Sequence, residues 1–213
     1  MIELSASSLN LYLECPRCFW LYVNKKIKRP EKPVATITTG LDRVIKEYFN
    51  LFRQKGILPT FIEGKVPGKL ITNLPRRGWL EFIDKDIDAK LVGYLDECLD
   101  LGNNFYAPLD HKSRGTKPDQ THPAHQFQMD VYTFLLEQNN FPTKNLAYLI
   151  YYIPTKINTG KNIEFEIIVS EVKTNPKYAK QVFMQAVSVL KDPIPTLNKS
   201  CPFCEWIKTH QIR

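Results

Sequence analysis

The sequence predicts an α/β fold, a mixed sheet flanked by helices. Three observations lead there. Segments with apolar residues at helical spacing alternate with short runs of strand length. A Gly102-Asn103-Asn104 turn joins two of those runs, 91–101 and 105–113, into a hairpin. A Cys-x-x-Cys pair stands near each end of the chain, so the ends are expected to meet.

The elements follow in order. Ser5 to Val23 reads as helical, with Ser5, Ser7 or Ser8 as the cap and a restart at Pro16. A basic stretch, Lys25 to Arg29, leads into a proline-containing linker. Thr38 to Gln54 is a second helix, with Leu41, Val44, Ile45, Tyr48, Phe49 and Phe52 at helical spacing and Gly56 at its end. Residues 57–78 carry proline and glycine without a period and read as loop with short strand. Trp79 to Ser113 is strand-like, and 114–123 is loop. Ala124 to Gln138 is a third helix. Two apolar strands, Leu146–Ile153 and Ile163–Val172, precede a last long helix, Asn175 to Lys191. The chain is expected to form a single domain, 1–213, with 1–35 and 192–213 making a cysteine-clamped lobe.

The hairpin carries the chemistry. With a three-residue loop, Leu101 faces Phe105, and counting back sets Asp96 opposite Asp110. Strand side chains alternate, so Lys112 shares the face of Asp110. Opposed residues have Cβ atoms about 5 Å apart. Two carboxylates that close repel, and a divalent cation between them removes the repulsion. A two-residue loop would shift the pairing by one. On spacing alone, an ordinary hairpin with surface acids reads equally well.

The 213 residues are 43% hydrophobic and 12% aromatic, enough for a sizeable core. A net charge of +7 favours an anionic partner, of which nucleic acid is the usual one, or simply solubility. No apolar run approaches the roughly 18 residues of a membrane span, and the N-terminus lacks a signal-peptide pattern. The expectation is a cytoplasmic protein, in which five cysteines are unlikely to form disulfides. Cys15, Cys18, Cys201 and Cys204 supply the four thiolates of a tetrahedral zinc site or a [4Fe-4S] cluster, and spacing does not choose between them. Cys98, alone in a strand, reads as a packed core thiol.

These residues resemble the PD-(D/E)XK nuclease superfamily, in its RecB-like branch with the CRISPR-associated exonucleases. The opening LSASSLNLYLECPRCFWL is similar to that branch's S-x-S-x-L-x-x-Y-x-x-C-P segment. Gly93-Tyr94-Leu95-Asp96 resembles its G-x-x-D motif, Asp110-His111-Lys112 its (D/E)-x-K motif, and Gln128 to Tyr132 its Q-x-x-x-Y motif. The C-terminal Cys-x-x-Cys-x-Trp extends the match over nearly the whole chain. Two departures stand out. The branch carries a metal-binding histidine in the helix before the hairpin, whereas Gly40 to Phe49 has none, and Asp42 is the candidate in its place. The branch's cluster takes one N-terminal and three C-terminal cysteines; here the division is two and two.

The resemblance implies a restriction-endonuclease-like fold and a metal-dependent DNA nuclease, read as an exonuclease in recombination, repair or CRISPR adaptation. Asp96, Asp110 and the backbone carbonyl of His111 would hold Mg²⁺ or Mn²⁺, and Lys112 would serve the attacking water. Gln128 and Tyr132 share one helix face toward that centre. It also implies a [4Fe-4S] cluster on the four cysteines, with Zn²⁺ as the alternative, and protein partners in a recombination or CRISPR complex. Lys25, Lys26, Lys28, Arg29, Arg76, Arg77, Arg114 and Lys117 are candidate phosphate contacts; of these, Arg114, Lys117, Lys25 and Lys26 are put forward for DNA binding. His122 and His125 are expected at the surface. The competing reading is a DNA-binding subunit with a weak or lost nuclease site.

Overall fold

The first element is a strand that the sequence pattern does not announce. β1 (Ile2–Ser5) pairs in parallel with β4 (Ala89–Tyr94), from Ile2 opposite Ala89 to Ser5 opposite Val92. Four residues are too few to show a period, and their partner lies far along the chain. The computed structural model describes residues 1–30, 36–73 and 78–209. Arg76 and Arg77 therefore lie outside the described residues.

Ser5 ends β1 and caps α1 (Ala6–Glu14) in a capping box with Ser8. Cys15 closes α1 and caps α2 (Pro16–Lys25), with Pro16 in the first turn where its missing N–H does no harm. α3 (Thr36–Arg53) turns Ile45 and Phe49 inward. Gly56 follows it with φ +64°. The next elements are β2 (Lys69–Leu70), β3 (Trp79–Asp84) and β4, then β5 (Glu97–Asp100) and β6 (Tyr106–Ser113). α4 (Pro123–Gln138), β7 (Leu146–Ile157), β8 (Ile163–Lys173), α5 (Pro176–Lys191) and α6 (Pro202–Thr209) complete the chain.

The strands form two sheets, β1-β4-β3 and β2-β5-β6-β7-β8, each with one parallel pair. This mixed α/β arrangement flanked by helices is the restriction-endonuclease-like architecture expected. One expectation needs correction. The run 91–101 is not one strand: it breaks at Leu95-Asp96 and hands the chain from the smaller sheet to the larger. At the break, Leu95 N–H donates to the Gly78 carbonyl at 2.9 Å, and Arg53 donates to the Asp96 carbonyl at 3.4 Å.

β7 lies between β6 and β8 and is buried on both faces over Ala147–Ile153, which explains its unbroken apolar run. One face packs in a core with α1, α4, α5 and the smaller sheet; the other packs under α3 and the 58–70 segment. α4 is buried nearly all round, from Met129 to Leu136. Cys98 sits in the first core as expected, its thiol pushed up to about 12 by burial.

Candidate active site and cysteine centre

The hairpin closes on three residues. Leu101 N–H donates to the Phe105 carbonyl at 2.8 Å, and Gly102, Asn103 and Asn104 all have positive φ. Pairing runs from Asp100 opposite Tyr106 to Glu97 opposite Leu109. One step further sets Asp96 across from Asp110, the register counted from the turn.

Asp110 is only 3% exposed. Lys112 Nζ lies 2.5 Å from Asp110 Oδ2 and donates to Gln128 Oε1 at 2.8 Å. Gln128 Nε2 donates to Tyr132 Oη at 2.9 Å and reaches Asp110 Oδ1 at 3.4 Å. The paired face of α4 thus meets the acid and the lysine together. α4 comes this close because residue 93 is glycine. A Cβ there would stand 2.6 Å from Leu135 Cδ1 and 3.2 Å from Tyr132 Cε1. Burial pushes the Asp110 carboxyl up to about 6; Lys112 works against it, and Asp96 adds to it. Burial and then Asp110 raise the Tyr132 phenol.

Asp96 is held from the other side. Its Oδ2 accepts from His111 N–H at 3.2 Å, and its Oδ1 lies 2.9 Å from Lys46 Nζ. The same ammonium is 3.0 Å from Asp42 Oδ2. Arg53 pairs with the buried Glu97, Nε to Oε2 at 2.8 Å, while burial raises the Glu97 carboxyl. Lys46, Arg53 and Glu97 were not among the residues expected from the sequence. Their signal was there: Asp42, Lys46 and Arg53 recur along one side of α3.

The His111 imidazole turns to the other face of the sheet. It stacks edge-on against Phe49, with ring centroids 4.3 Å apart, and its Nδ1 lies 3.1 Å from Tyr152 Oη. Burial pulls its pKa down to about 4, so the ring is neutral. Only its backbone adjoins the acids. The ligand atoms placed at the hairpin are therefore the carboxylate oxygens of Asp96 and Asp110, the type that suits a hard divalent cation.

Arg114, half-buried, and Lys117, exposed, lie in the loop that leaves β6 directly after Lys112. Lys26, at the left-handed end of α2, and Lys28 line a cleft with Tyr22 and Val92. That cleft shares no lining residue with the one around Asp96. Lys25 sits over the Trp20 ring at 5.9 Å, and Arg29 pairs with Glu14 at 2.5 Å. Neither histidine near α4 is an idle surface group. His122 Nδ1 caps the helix by accepting from Ala124 N–H at 3.2 Å. His125 is half-buried, and desolvation with Lys112, His122 and Arg114 lowers it to about 4.

The two Cys-Pro-x-Cys segments meet. Their four sulfurs all lie within 4.8 Å of one another and are buried. Sγ separations are 3.6 Å for Cys15–Cys204, 3.7 Å for Cys18–Cys201 and 4.0 Å for Cys18–Cys204. In each segment the first cysteine immediately precedes a helix that opens on proline. Exposed N–H groups there favour thiolate. Burial opposes ionisation of Cys201, yet N–H groups of Cys204 and Phe203 bring it down to about 7. Cys18 goes the other way, pushed up to about 12 by burial and its neighbouring thiols. Arg29 donates to Cys201 Sγ at 3.6 Å and lies 4.6 Å over the Phe203 ring. Backbone ties join the same regions: Arg17 donates to the Pro195 carbonyl at 2.7 Å and Trp20 to that of Asp192 at 2.9 Å.

A family model described as the PD-(D/E)XK nuclease superfamily matches residues 38–209. Among solved structures, one described as "Crystal structure of SSO0001" is similar at a TM-score of 0.47 and 12% identity, covering 99% of this chain and 86% of that one. No curated protein matches the sequence significantly. No helix among the described residues is long and apolar enough to cross a membrane.

Proposed function

The chain belongs to the PD-(D/E)XK nuclease superfamily, and we propose from that premise that it is a Mg²⁺- or Mn²⁺-dependent DNA nuclease of the RecB-like branch. The observation that carries the reading is the convergence of Asp96, Asp110 and Lys112 on one hairpin end, with Gln128 bridging to α4. Asp96, Asp110 and the His111 carbonyl would supply oxygen ligands. A divalent ion bound there supplies a water of lowered pKa and offsets charge on the scissile phosphate. Lys112 orients that water and stabilises the charge that builds up on the phosphate. Gln128 positions Lys112, accepting a hydrogen bond from it on Oε1 while Nε2 donates to Tyr132 and Asp110. Asp42 is the candidate further ligand, within reach of the Lys46 ammonium that Asp96 shares.

Action on strand ends is supported by a groove of about 620 Å³ that opens beside Ser113 and Arg114. Its walls are apolar, including Leu41, Val44 and Phe165, and Arg43 and Arg114 stand among its lining. Unpaired bases favour such walls, and phosphates favour the arginines. Recombination, repair or CRISPR adaptation, with protein partners, is the setting that the branch suggests.

The cysteine quartet is read as a structural metal centre. Bonds of about 2.3 Å from one ion place tetrahedral sulfurs about 3.8 Å apart. A [4Fe-4S] cubane sets its four irons at alternate corners, one per thiolate, and spreads the thiolates wider. The observed separations support Zn²⁺ over the cluster. Metal analysis of an anaerobic preparation tests this: one zinc per chain in a colourless protein is expected, and a brown protein with iron and sulfide would reverse the choice.

The nuclease reading is tested by anaerobic cleavage of end-labelled single- and double-stranded DNA with Mn²⁺. The expected result is cleavage by the wild type that Asp110→Asn and Lys112→Met abolish while remaining folded. A second reading, DNA binding without cleavage, draws support from the missing helix histidine and from the Lys46 ammonium that stands between Asp42 and Asp96. Salt-sensitive DNA binding with no cleavage across several divalent ions would favour it.

A further inference from the structure

Lys46 holds one ammonium against two carboxylates from different elements. Its Nζ is 2.9 Å from Asp96 Oδ1 on the hairpin and 3.0 Å from Asp42 Oδ2 one turn back on α3. An ammonium donates only, so it occupies a lone-pair direction of Asp96 that a metal ion would otherwise use. A divalent ion on the same carboxylate repels the ammonium beside it. Lys112 differs, because it is anchored by Gln128 as well as by Asp110. Among the described residues, the second anchor of Lys46 is Asp42, whose side chain is 45% exposed. It also lines an open cleft of about 470 Å³ with Arg43, Asn50 and Arg53.

We propose that Lys46 is a displaceable internal cation that couples metal uptake to substrate phosphate. The inference rests on the metal-nuclease reading of the Asp96–Asp110 centre. Metal binding frees Lys46 from Asp96. The freed ammonium, beside Arg43 and Arg53, then takes a phosphate of the bound strand. A strand already bound draws Lys46 off Asp96 and eases metal entry. By linkage each ligand must strengthen the other by the same factor. Lys46 in this scheme acts on the metal through Asp96 and binds the strand directly.

Direct Mn²⁺ titration, followed by electron paramagnetic resonance, tests the coupling with and without an uncleavable phosphorothioate oligonucleotide. In the wild type the oligonucleotide should tighten Mn²⁺ binding by roughly five- to tenfold. In Lys46→Met, Mn²⁺ should bind the DNA-free protein roughly three- to tenfold more tightly, and the oligonucleotide should add little. Lys46→Arg should restore the coupling, which a merely structural lysine would not require. Lys46→Gln serves the same comparison should the methionine variant fail to fold. Equal Mn²⁺ affinity and equal coupling in wild type and Lys46→Met would overturn the proposal. If Asp110→Asn binds Mn²⁺ as the wild type does, or neither binds it, the metal-nuclease reading itself fails.

Discussion

The hairpin centre and the cysteine centre both gather like-charged ligands, and they settle the repulsion differently. The cysteine centre is closed: four buried sulfurs surround a point, with helix N-termini and Arg29 as the nearest positive groups. The hairpin centre is open on one side, and lysines already stand against its acids, Lys112 on Asp110 and Lys46 on Asp96. A closed set of soft ligands suits an ion that stays, whereas an open set of oxygens leaves positions for water and substrate. Under the proposed function, the cysteine centre serves folding and the hairpin centre serves turnover.

The largest expected effect tests whether the two can be separated. Asp110→Asn or Lys112→Met should lower cleavage by on the order of 10³-fold, since either removes part of the metal and water machinery. Thermal unfolding of Asp110→Asn should show little loss of stability, because burial already raises that carboxyl. Full activity in either folded variant would erase the distinction.

Next comes the cysteine side. Cys18→Ser with Cys204→Ser should reduce unfolding free energy by about 2–5 kcal/mol, the range for losing a cross-link between distant segments. Denaturant titration measures it. Cleavage per folded molecule should persist at low temperature. Equal losses of activity and stability would mean that the two centres are one unit.

The pH dependence sharpens the contrast. The Asp110 carboxyl is raised to about 6, so the folded metal-free protein keeps a proton that the unfolded chain gives up. That contribution favours the folded state on the acid side and is lost as pH rises through about 6. Metal binding needs the ionised form, so Mn²⁺ affinity at the hairpin should weaken by about tenfold per pH unit below that point. Calorimetric titration at several pH values measures the slope, and a flat profile would remove Asp110 from the ligand set.

The smallest effect concerns positioning. Gln128→Leu should lower kcat by roughly five- to tenfold with KM little changed, because it loosens Lys112 and removes only a long 3.4 Å contact to Asp110. A larger rise in KM than fall in kcat would move Gln128 to strand binding.

Much of this was legible in the residues themselves. The hairpin register followed from Gly102-Asn103-Asn104, because positive φ is a local property of those residue types. A cap among Ser5, Ser7 and Ser8 and the helix restart at Pro16 were legible for the same reason. Reading Cys15, Cys18, Cys201 and Cys204 as one centre needed only the chemistry of thiolates. The Gln128–Tyr132 pair came from the resemblance, and helical spacing added only that the two share a face.

Tertiary structure decided the rest. The split of the 91–101 run between two sheets depends on Gly78, Arg53 and the close approach of α4 over Gly93, contacts between distant segments. β1 exists because β4 offers it an edge. Lys46 reaches Asp96 only because α3 packs across the larger sheet, and the same packing turns the His111 ring away from the acids. By itself, then, the sequence determined which groups are candidates for chemistry and how the hairpin turn and the helix restart are made, since those depend on neighbours along the chain. Which carboxylate meets which cation was decided by packing, since that depends on neighbours in space.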